Sequence, residues 1–307
     1  MAEFGCLMAL ELVKKAQRSK PRRGEMRDRP HWSYSAVSQY LRCPLQYYFQ
    51  RILSLPSRSI GCGLVMGSAV HAGLAEYHHR VKDKTKIDKE AIFKVFHECW
   101  EEKESHEKIL FRDGDNRDDS IGQGINLLEV YLREPPPEKI VAIEHRFLAP
   151  LINSQGEYLE TPLVAITDLI KSTDQGLTVE EFKTSGRAYS ESEVGSSLQP
   201  TCYVHAVNEC LGQMPNVEYT ILVKTKNPKV QRLKTSRYVE DCGRLGDLVQ
   251  TIQRAVDLGI FYPVESPMNC STCPYRQQCR EWGQGARPQG DLVQLQVSQE
   301  EIECSPN

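Results

Sequence analysis

Asp168, Glu181 and Lys183 are the residues of this chain whose types and spacing point most directly to chemistry. Asp168 belongs to an apolar, β-branched run from Leu163 to Ile170, and Glu181-Phe182-Lys183 closes the next run, Leu177 to Lys183. The turn between them falls near Asp174, Gln175 and Gly176. A loop of Asp174-Gln175 sets Asp168 opposite Glu181, and a loop of Gln175-Gly176 sets it opposite Lys183. Either register gathers all three on one surface, because paired residues share a face and positions 181 and 183 share one through the strand period of two. Two carboxylates this close repel unless a cation lies between them, and Mg²⁺ or Mn²⁺ suits such oxygen donors. The ion would polarise a phosphate and supply hydroxide near neutral pH, while Lys183 would orient the water or hold transition-state charge. That is phosphodiester hydrolysis. A surface hairpin of alternating charges carries the same short pattern by chance.

Two neighbours strengthen the hydrolytic reading. Gln199 and Tyr203 stand four apart, hence on one helical face, where an amide and a phenol suit a nucleotide or the lysine; a plain helix-surface pair has the same spacing. His71 lies off the stripe of Val70, Leu74 and Tyr77, as a ligand or as a satisfied structural histidine, and His78 and His79 are expected in solvent. A second constellation is sulfur: Cys270-Ser-Thr-Cys273, five residues, then Cys279, in a short loop rich in Pro and polar residues. Cys43, before Pro44 at a helix junction, is the candidate fourth ligand. Four thiolates hold Zn²⁺ or an iron–sulfur cluster, and spacing alone leans to zinc. Cys6, Cys62, Cys99, Cys202, Cys210, Cys242 and Cys304 read as small hydrophobes or incidental thiols.

The elements that must position these groups change character along the chain. Ser33 and Ser35 offer caps for a helix over Ala36 to Arg42, and Pro44 fits the first turn of the next. Amphipathic helices follow at Met66 to Arg80, around Ile92, Val95, Phe96 and Cys99, and around Ile121, Ile125, Leu128 and Leu132, until Pro135, Pro136 and Pro137 end the helical part. Ile140 to Phe147, Leu163 to Ile170 and Leu177 to Lys183 read as a meander of three strands. A helix is expected from about Ser192 to Leu211, then strands at Val217 to Lys224 and Lys229 to Tyr238. A last helix carries Leu245, Leu248, Ile252 and Val256. The order specifies an α/β fold, a sheet carrying a helical cap.

Composition narrows the class. With 307 residues and 40% hydrophobic content the chain can bury one core or a core plus an accessory lobe. It has no apolar run of about eighteen residues, and Met1 to Leu12 is short and carries Glu3 and Glu11, so an intracellular, cytoplasmic protein with no membrane partner is expected. Eleven cysteines, an odd number, favour metal binding over a disulfide framework. A net charge of -3 does not announce nucleic acid, but Lys14 to Arg29 concentrates eight Lys or Arg against two acids, as a solvated arm or one that touches DNA. Met26 offers a second start for translation.

Taken in order, these residues resemble the RecB-like branch of the PD-(D/E)XK nucleases, specifically its iron–sulfur members, which include the AddB nuclease, the CRISPR-associated RecB-like exonucleases and the exonuclease V group. The matching elements are Ser33-Tyr-Ser35 leading to Cys43-Pro44, Gly67-Ser-Ala-Val-His71, Ile166-Thr-Asp168, Glu181-Phe-Lys183, Gln199 with Tyr203, and the loop from Cys270 to Cys279. The resemblance implies a restriction-endonuclease-like core, a mixed central sheet flanked by helices, with an N-terminal helical part and a C-terminal iron–sulfur clasp. It implies that His71, Asp168, Glu181 and the Phe182 carbonyl ligate a catalytic Mg²⁺ or Mn²⁺, that Lys183 is the catalytic lysine, and that Gln199 and Tyr203 form the branch's characteristic motif. It reverses the lean to zinc: Cys43, Cys270, Cys273 and Cys279 would hold a 4Fe–4S cluster. Expected boundaries are a basic flexible arm over 1–30, one nuclease domain over 31–283 (helical part 31–137, sheet core 138–240, helix and cysteine loop 241–283) and a disordered tail over 284–307. The implied activity is cutting DNA, often single-stranded and from an end, in repair, recombination or CRISPR adaptation, beside a helicase, an integrase or another such subunit. No Gly-x-x-x-x-Gly-Lys-Ser/Thr helicase signature is present. The alternatives are a catalytically silent DNA-end-binding or scaffold subunit, and a structural zinc protein.

Overall fold

The computed structural model describes residues 30–57, 59–112 and 114–282; the basic arm through Arg29, the tail from Gly283, and with them Cys6 and Cys304, lie outside the described residues. In chain order the elements are β1 (Trp32–Ser33), α1 (Tyr34–Arg42), α2 (Pro44–Tyr47, continued by a π-helical turn through Ile52), β2 (Ser59–Gly61), α3 (Cys62–Lys82), α4 (Lys89–His106), β3 (Lys108–Leu110) and α5 (Arg117–Tyr131). Then follow β4 (Ile140–Ala149), β5 (Leu163–Thr173), β6 (Gly176–Ser185), α6 (Glu191–Ser196), α7 (Gln199–Leu211), β7 (Asn216–Val223), β8 (Lys229–Thr235), α8 (Val239–Asp257), α9 (Pro267–Cys270) and α10 (Arg276–Trp282).

Strands β4, β5 and β6 form the expected antiparallel meander, β7 joins β6 in parallel, and β8 returns antiparallel on β7. The parallel step needs a crossover, which α6 and α7 supply. Thr173 pairs with Gly176, so Asp174-Gln175 is the loop, and Gly176 takes the positive φ of 101° that a side chain would strain. Leu163 pairs with both Trp32 and Ala149, and Leu169 with both Glu180 and Ile143. Strands β1 and β6 therefore share the edge of β5 that β4 leaves open, one at each end, and between them residues 165–168 face a fork.

Helices cover both faces of this mixed sheet. Ile221 and Leu222, adjacent on β7, enter different cores: Ile221 packs with α1, α7 and α8, and Leu222 with α3, α4 and α5. On α4 the buried stripe is Ile92, Phe96 and Trp100, with Val95 and Cys99 only partly covered. On α5 the buried face is Gly124, Leu127, Leu128 and Tyr131 rather than the expected Ile121, Ile125, Leu128 and Leu132. Close approach sets that rotation, since a Cβ at Gly124 would lie 2.6 Å from the Phe96 ring. The single helix expected over Ser192 to Leu211 is two: a capping box on Ser190 and Glu193 opens α6, the chain breaks at Ser197-Leu198, and Pro200 opens α7 in the first turn, where its missing N–H costs nothing. Among the described residues no helix is long and apolar enough to cross a membrane.

Candidate active site

The fork in the sheet is where the chemistry-bearing residues meet. Strand pairing between β5 and β6 stops at Leu169 and Glu180, and the next residue of β5, Asp168, turns its carboxylate across the gap: Oδ2 accepts the Phe182 N–H at 2.8 Å. The side chain thus satisfies a backbone donor that the diverging ladder leaves behind. Asp168 Oδ1 lies 3.3 Å from Nδ1 of His71, which α3 brings up beside Phe182. Opposite Asp168 by register, Glu144 of β4 is exposed with φ 44°. Phe147 and Ala165, on one side of that pair, enter the core of α7 and α8, whereas Ile143 and Leu169, at the same alternation on the other side, enter the core of α3. The β4–β5 ribbon turns over at Glu144 and Asp168. A non-glycine residue in the left-handed region is costly and marks a place the surrounding structure over-determines. Nothing in the residue type of Glu144 signalled it.

Glu181, from the next strand, is 3% exposed and fully engaged. Its Oε1 accepts Lys183 Nζ at 2.6 Å and Gln199 Nε2 at 2.9 Å, and its Oε2 accepts the Tyr203 hydroxyl at 2.5 Å. Gln199 and Tyr203 therefore brace the carboxylate rather than the lysine. They can do so because α7 starts at Gln199 and sets the two one turn apart at its N-terminal end, facing Glu181 of β6. Tyr203 also receives a bond from Gln199 at 2.7 Å, and Lys183 sits 6.0 Å from the Tyr219 ring. Burial, and then the charge of Asp168, push the Glu181 carboxyl above its usual range, against the pull of Lys183 and Tyr203. Burial works the same way on Asp168, but His71, the Phe182 amide and Lys183 outweigh it and hold that group low. Burial opposes charge on His71 and on Lys183, yet the adjacent carboxylates raise both. Two carboxylates and one imidazole fit a hard divalent cation in kind, and the repulsion raising Glu181 is what such a cation relieves. As arranged, Asp168 meets the His71 imidazole and Glu181 the Lys183 ammonium, and among the described residues no three His, Cys, Asp or Glu groups form a closed metal cage.

His78 is buried, not solvated. It lies one turn beyond Leu74 on the inward face of α3, a position the helical period disclosed. Its ring stacks on Phe182 at 5.3 Å and its Nε2 meets the Tyr131 hydroxyl at 2.9 Å. Burial drives its pKa down to about 3, so it is a neutral prop against the Phe182 ring. His79 is exposed, as expected.

The four candidate cluster cysteines converge from opposite ends of the chain. Cys43, Cys270, Cys273 and Cys279 line one cavity of about 590 Å³, together with Arg276 and Arg280. Val264 donates its N–H to Cys43 Sγ at 3.5 Å, and Leu45, Phe49 and Tyr275 make a separate small core beneath. Burial, and then mutual repulsion with Cys43 and the other thiols, push Cys279 up; for Cys273 burial dominates. A donor set of four thiols beside arginines fits an anionic cluster or a thiophilic ion in kind. Cys62, Cys202 and Cys242 are buried free thiols, Cys99 and Cys210 partly so.

A sheet forked at a carboxylate pair with an adjacent lysine defines a class, and sequence comparison specifies it. The chain belongs to the PD-(D/E)XK nuclease superfamily, whose family model matches residues 31–280. It is a nuclease. A crystal structure of a candidate exonuclease from Eubacterium rectale shares the fold, with a TM-score of 0.53 at 11% identity over 90% of this chain and 95% of that one. The structure of SSO0001 aligns at a TM-score of 0.35 and 12% identity over 80% of this chain and 96% of that one, too weakly to inform the fold. No curated protein matches the sequence.

Proposed function

We propose that this nuclease is a metal-dependent deoxyribonuclease of the RecB-like iron–sulfur branch, cutting DNA from an end with single strands favoured. The observation that carries the reading is the joint hold on Glu181 by Lys183, Gln199 and Tyr203, beside an Asp168 held by the Phe182 amide. His71, Asp168, Glu181 and the Phe182 carbonyl would hold Mg²⁺ or Mn²⁺, which supplies Lewis acidity and a nucleophile at neutral pH. Lys183 orients the attacking water and holds charge on the phosphate; Gln199 and Tyr203 fix Glu181 so that it does not swing away when Lys183 turns to substrate. Cys43, Cys270, Cys273 and Cys279 would hold a 4Fe–4S cluster that ties the helical part before residue 137 to the segment after 241. The partner beside DNA would be a helicase, an integrase or a repair or CRISPR subunit.

The test is cleavage of end-labelled and circular DNA, single- and double-stranded, with Mg²⁺, Mn²⁺ or chelator, by protein prepared without oxygen. Metal-dependent cutting of free ends that Asp168→Ala abolishes supports the reading. Equal cutting by the variant refutes the site, and cutting of circles refutes end dependence.

A further inference from the structure

At the ends of β6 and β7, beyond the catalytic lysine, lies a second polar cleft of about 300 Å³, lined by Lys224, Lys226, Gln123, Asn126, Asp118 and Asp119 among others. Its charges are unevenly satisfied. Asp118 lies 3.7 Å from Arg117, and Asp119 accepts Asn116 Nδ2 at 2.6 Å. Among the described residues neither lysine has a carboxylate partner; Lys224 Nζ meets the Met66 sulfur at 3.9 Å. Gln123 and Asn126 sit on the exposed side of α5 with their amides uncommitted. Unpaired ammonium groups beside free amides suit a nucleotide, with phosphate on the lysines and sugar or base edge on the amides. The volume is at the lower end of that for small-ligand sites, about the size of one nucleotide unit.

The cleft lies at the same end of the sheet as the candidate active site, on the face covered by α3 and α5. The Lys224 N–H donates to the Ser185 carbonyl at 2.7 Å, two residues past Lys183 on the same strand. Lys183 pairs with Ile221, so Lys224 stands three residues farther along, roughly 10 Å at about 3.3 Å per residue, or some three steps of stacked nucleotide. Met66, which Lys224 touches, begins the same stretch of α3 that carries His71.

We infer that this cleft is a nucleotide subsite of the nuclease, in which Lys224 and Lys226 hold a DNA phosphate about three units from the bond that is cut. The inference rests on the nuclease reading above. It is tested by binding of a fluorescent single-stranded oligonucleotide in chelator across a salt series, and by the KM for cleavage, in the parent, Lys224→Gln, Lys226→Gln and the double variant. Each lysine lost should weaken binding about fivefold to tenfold, lower the salt slope by about 0.7 and raise KM in proportion. Should Lys224→Gln disturb α3, the exposed Lys226→Gln decides alone. A parent that binds and cuts DNA while these variants keep its affinity, slope and KM overturns the subsite and leaves the nuclease reading standing. A parent that neither binds nor cuts DNA overturns both.

Discussion

The carboxylate fork and the cysteine clasp are assembled by opposite means. At the fork both carboxylate oxygens of Glu181 are engaged by side chains from long elements, and Asp168 is held by a strand amide and a helix histidine. The sheet and two helix layers would keep that geometry whatever sits between the carboxylates. The clasp has the four-residue helices α2 and α9, a small core of Leu45, Phe49 and Tyr275, and aromatic contacts such as Tyr48 with Phe261 at 4.6 Å. A region with so few buried contacts would gain cohesion from a metal or cluster bound by its thiols, as proposed above. The fork is preorganised by the protein, whereas the clasp, on the proposed reading, would be completed by its ligand.

The comparison breaks most sharply at the fork. Asp168→Ala or Lys183→Ala should lower cleavage by about a thousandfold or more while the chain still folds, with a lower melting temperature for Lys183→Ala, which leaves the buried Glu181 without its cation. Single-turnover cleavage beside thermal melting checks this, and a variant that unfolds would erase the contrast. At the clasp the expectation inverts: Cys43→Ala and Cys279→Ala should lose iron and absorbance near 400 nm and become protease-sensitive before activity is measured at all. Unchanged iron content in either variant removes that cysteine from the ligand set, and a colourless parent carrying stoichiometric zinc replaces the cluster with an ion.

Smaller effects sharpen the account of the fork. Tyr203 donates to Glu181 and holds down a carboxyl that burial and Asp168 push up. Tyr203→Phe removes that restraint and leaves a buried oxygen short of a partner, costing about 1–3 kcal/mol. The Glu181 pKa then rises further, so the acid limb of the kcat/KM profile should move to higher pH; an unmoved limb separates Glu181 from the titrating step. The smallest effect is at His78, whose folded pKa of about 3 lies below the ordinary 6.5. The unfolded chain binds the extra proton between those values, so stability falls as pH drops below 6.5, by about 2 kcal/mol at pH 5. In His78→Phe, urea unfolding at pH 7.5 and 5 should show that acid sensitivity reduced by the same amount; an equal loss in both proteins assigns it elsewhere.

Much of this was legible in local sequence. The period of two along Leu163 to Lys183, the turn at Asp174 to Gly176, the stripe of Val70, Leu74 and Tyr77 and the close spacing of Cys270, Cys273 and Cys279 are short-range properties, and each element formed where its pattern lay. Alternation alone placed Asp168, Glu181 and Lys183 together, since neither register could separate them. What the sequence left open depends on contacts between distant residues. The fork exists because β1 and β6 share one edge of β5, and the ribbon turns over at Glu144, an ordinary glutamate forced into a rare conformation by its surroundings. The direction of Gln199 and Tyr203 followed from the break before α7, and the meeting of His78 with the Tyr131 hydroxyl from α5 lying against α3. Cys43 reaches the C-terminal thiols, and Lys224 reaches Met66, only because the packed layers bring opposite ends of the chain to one place, and spacing along a sequence carries no information about that distance.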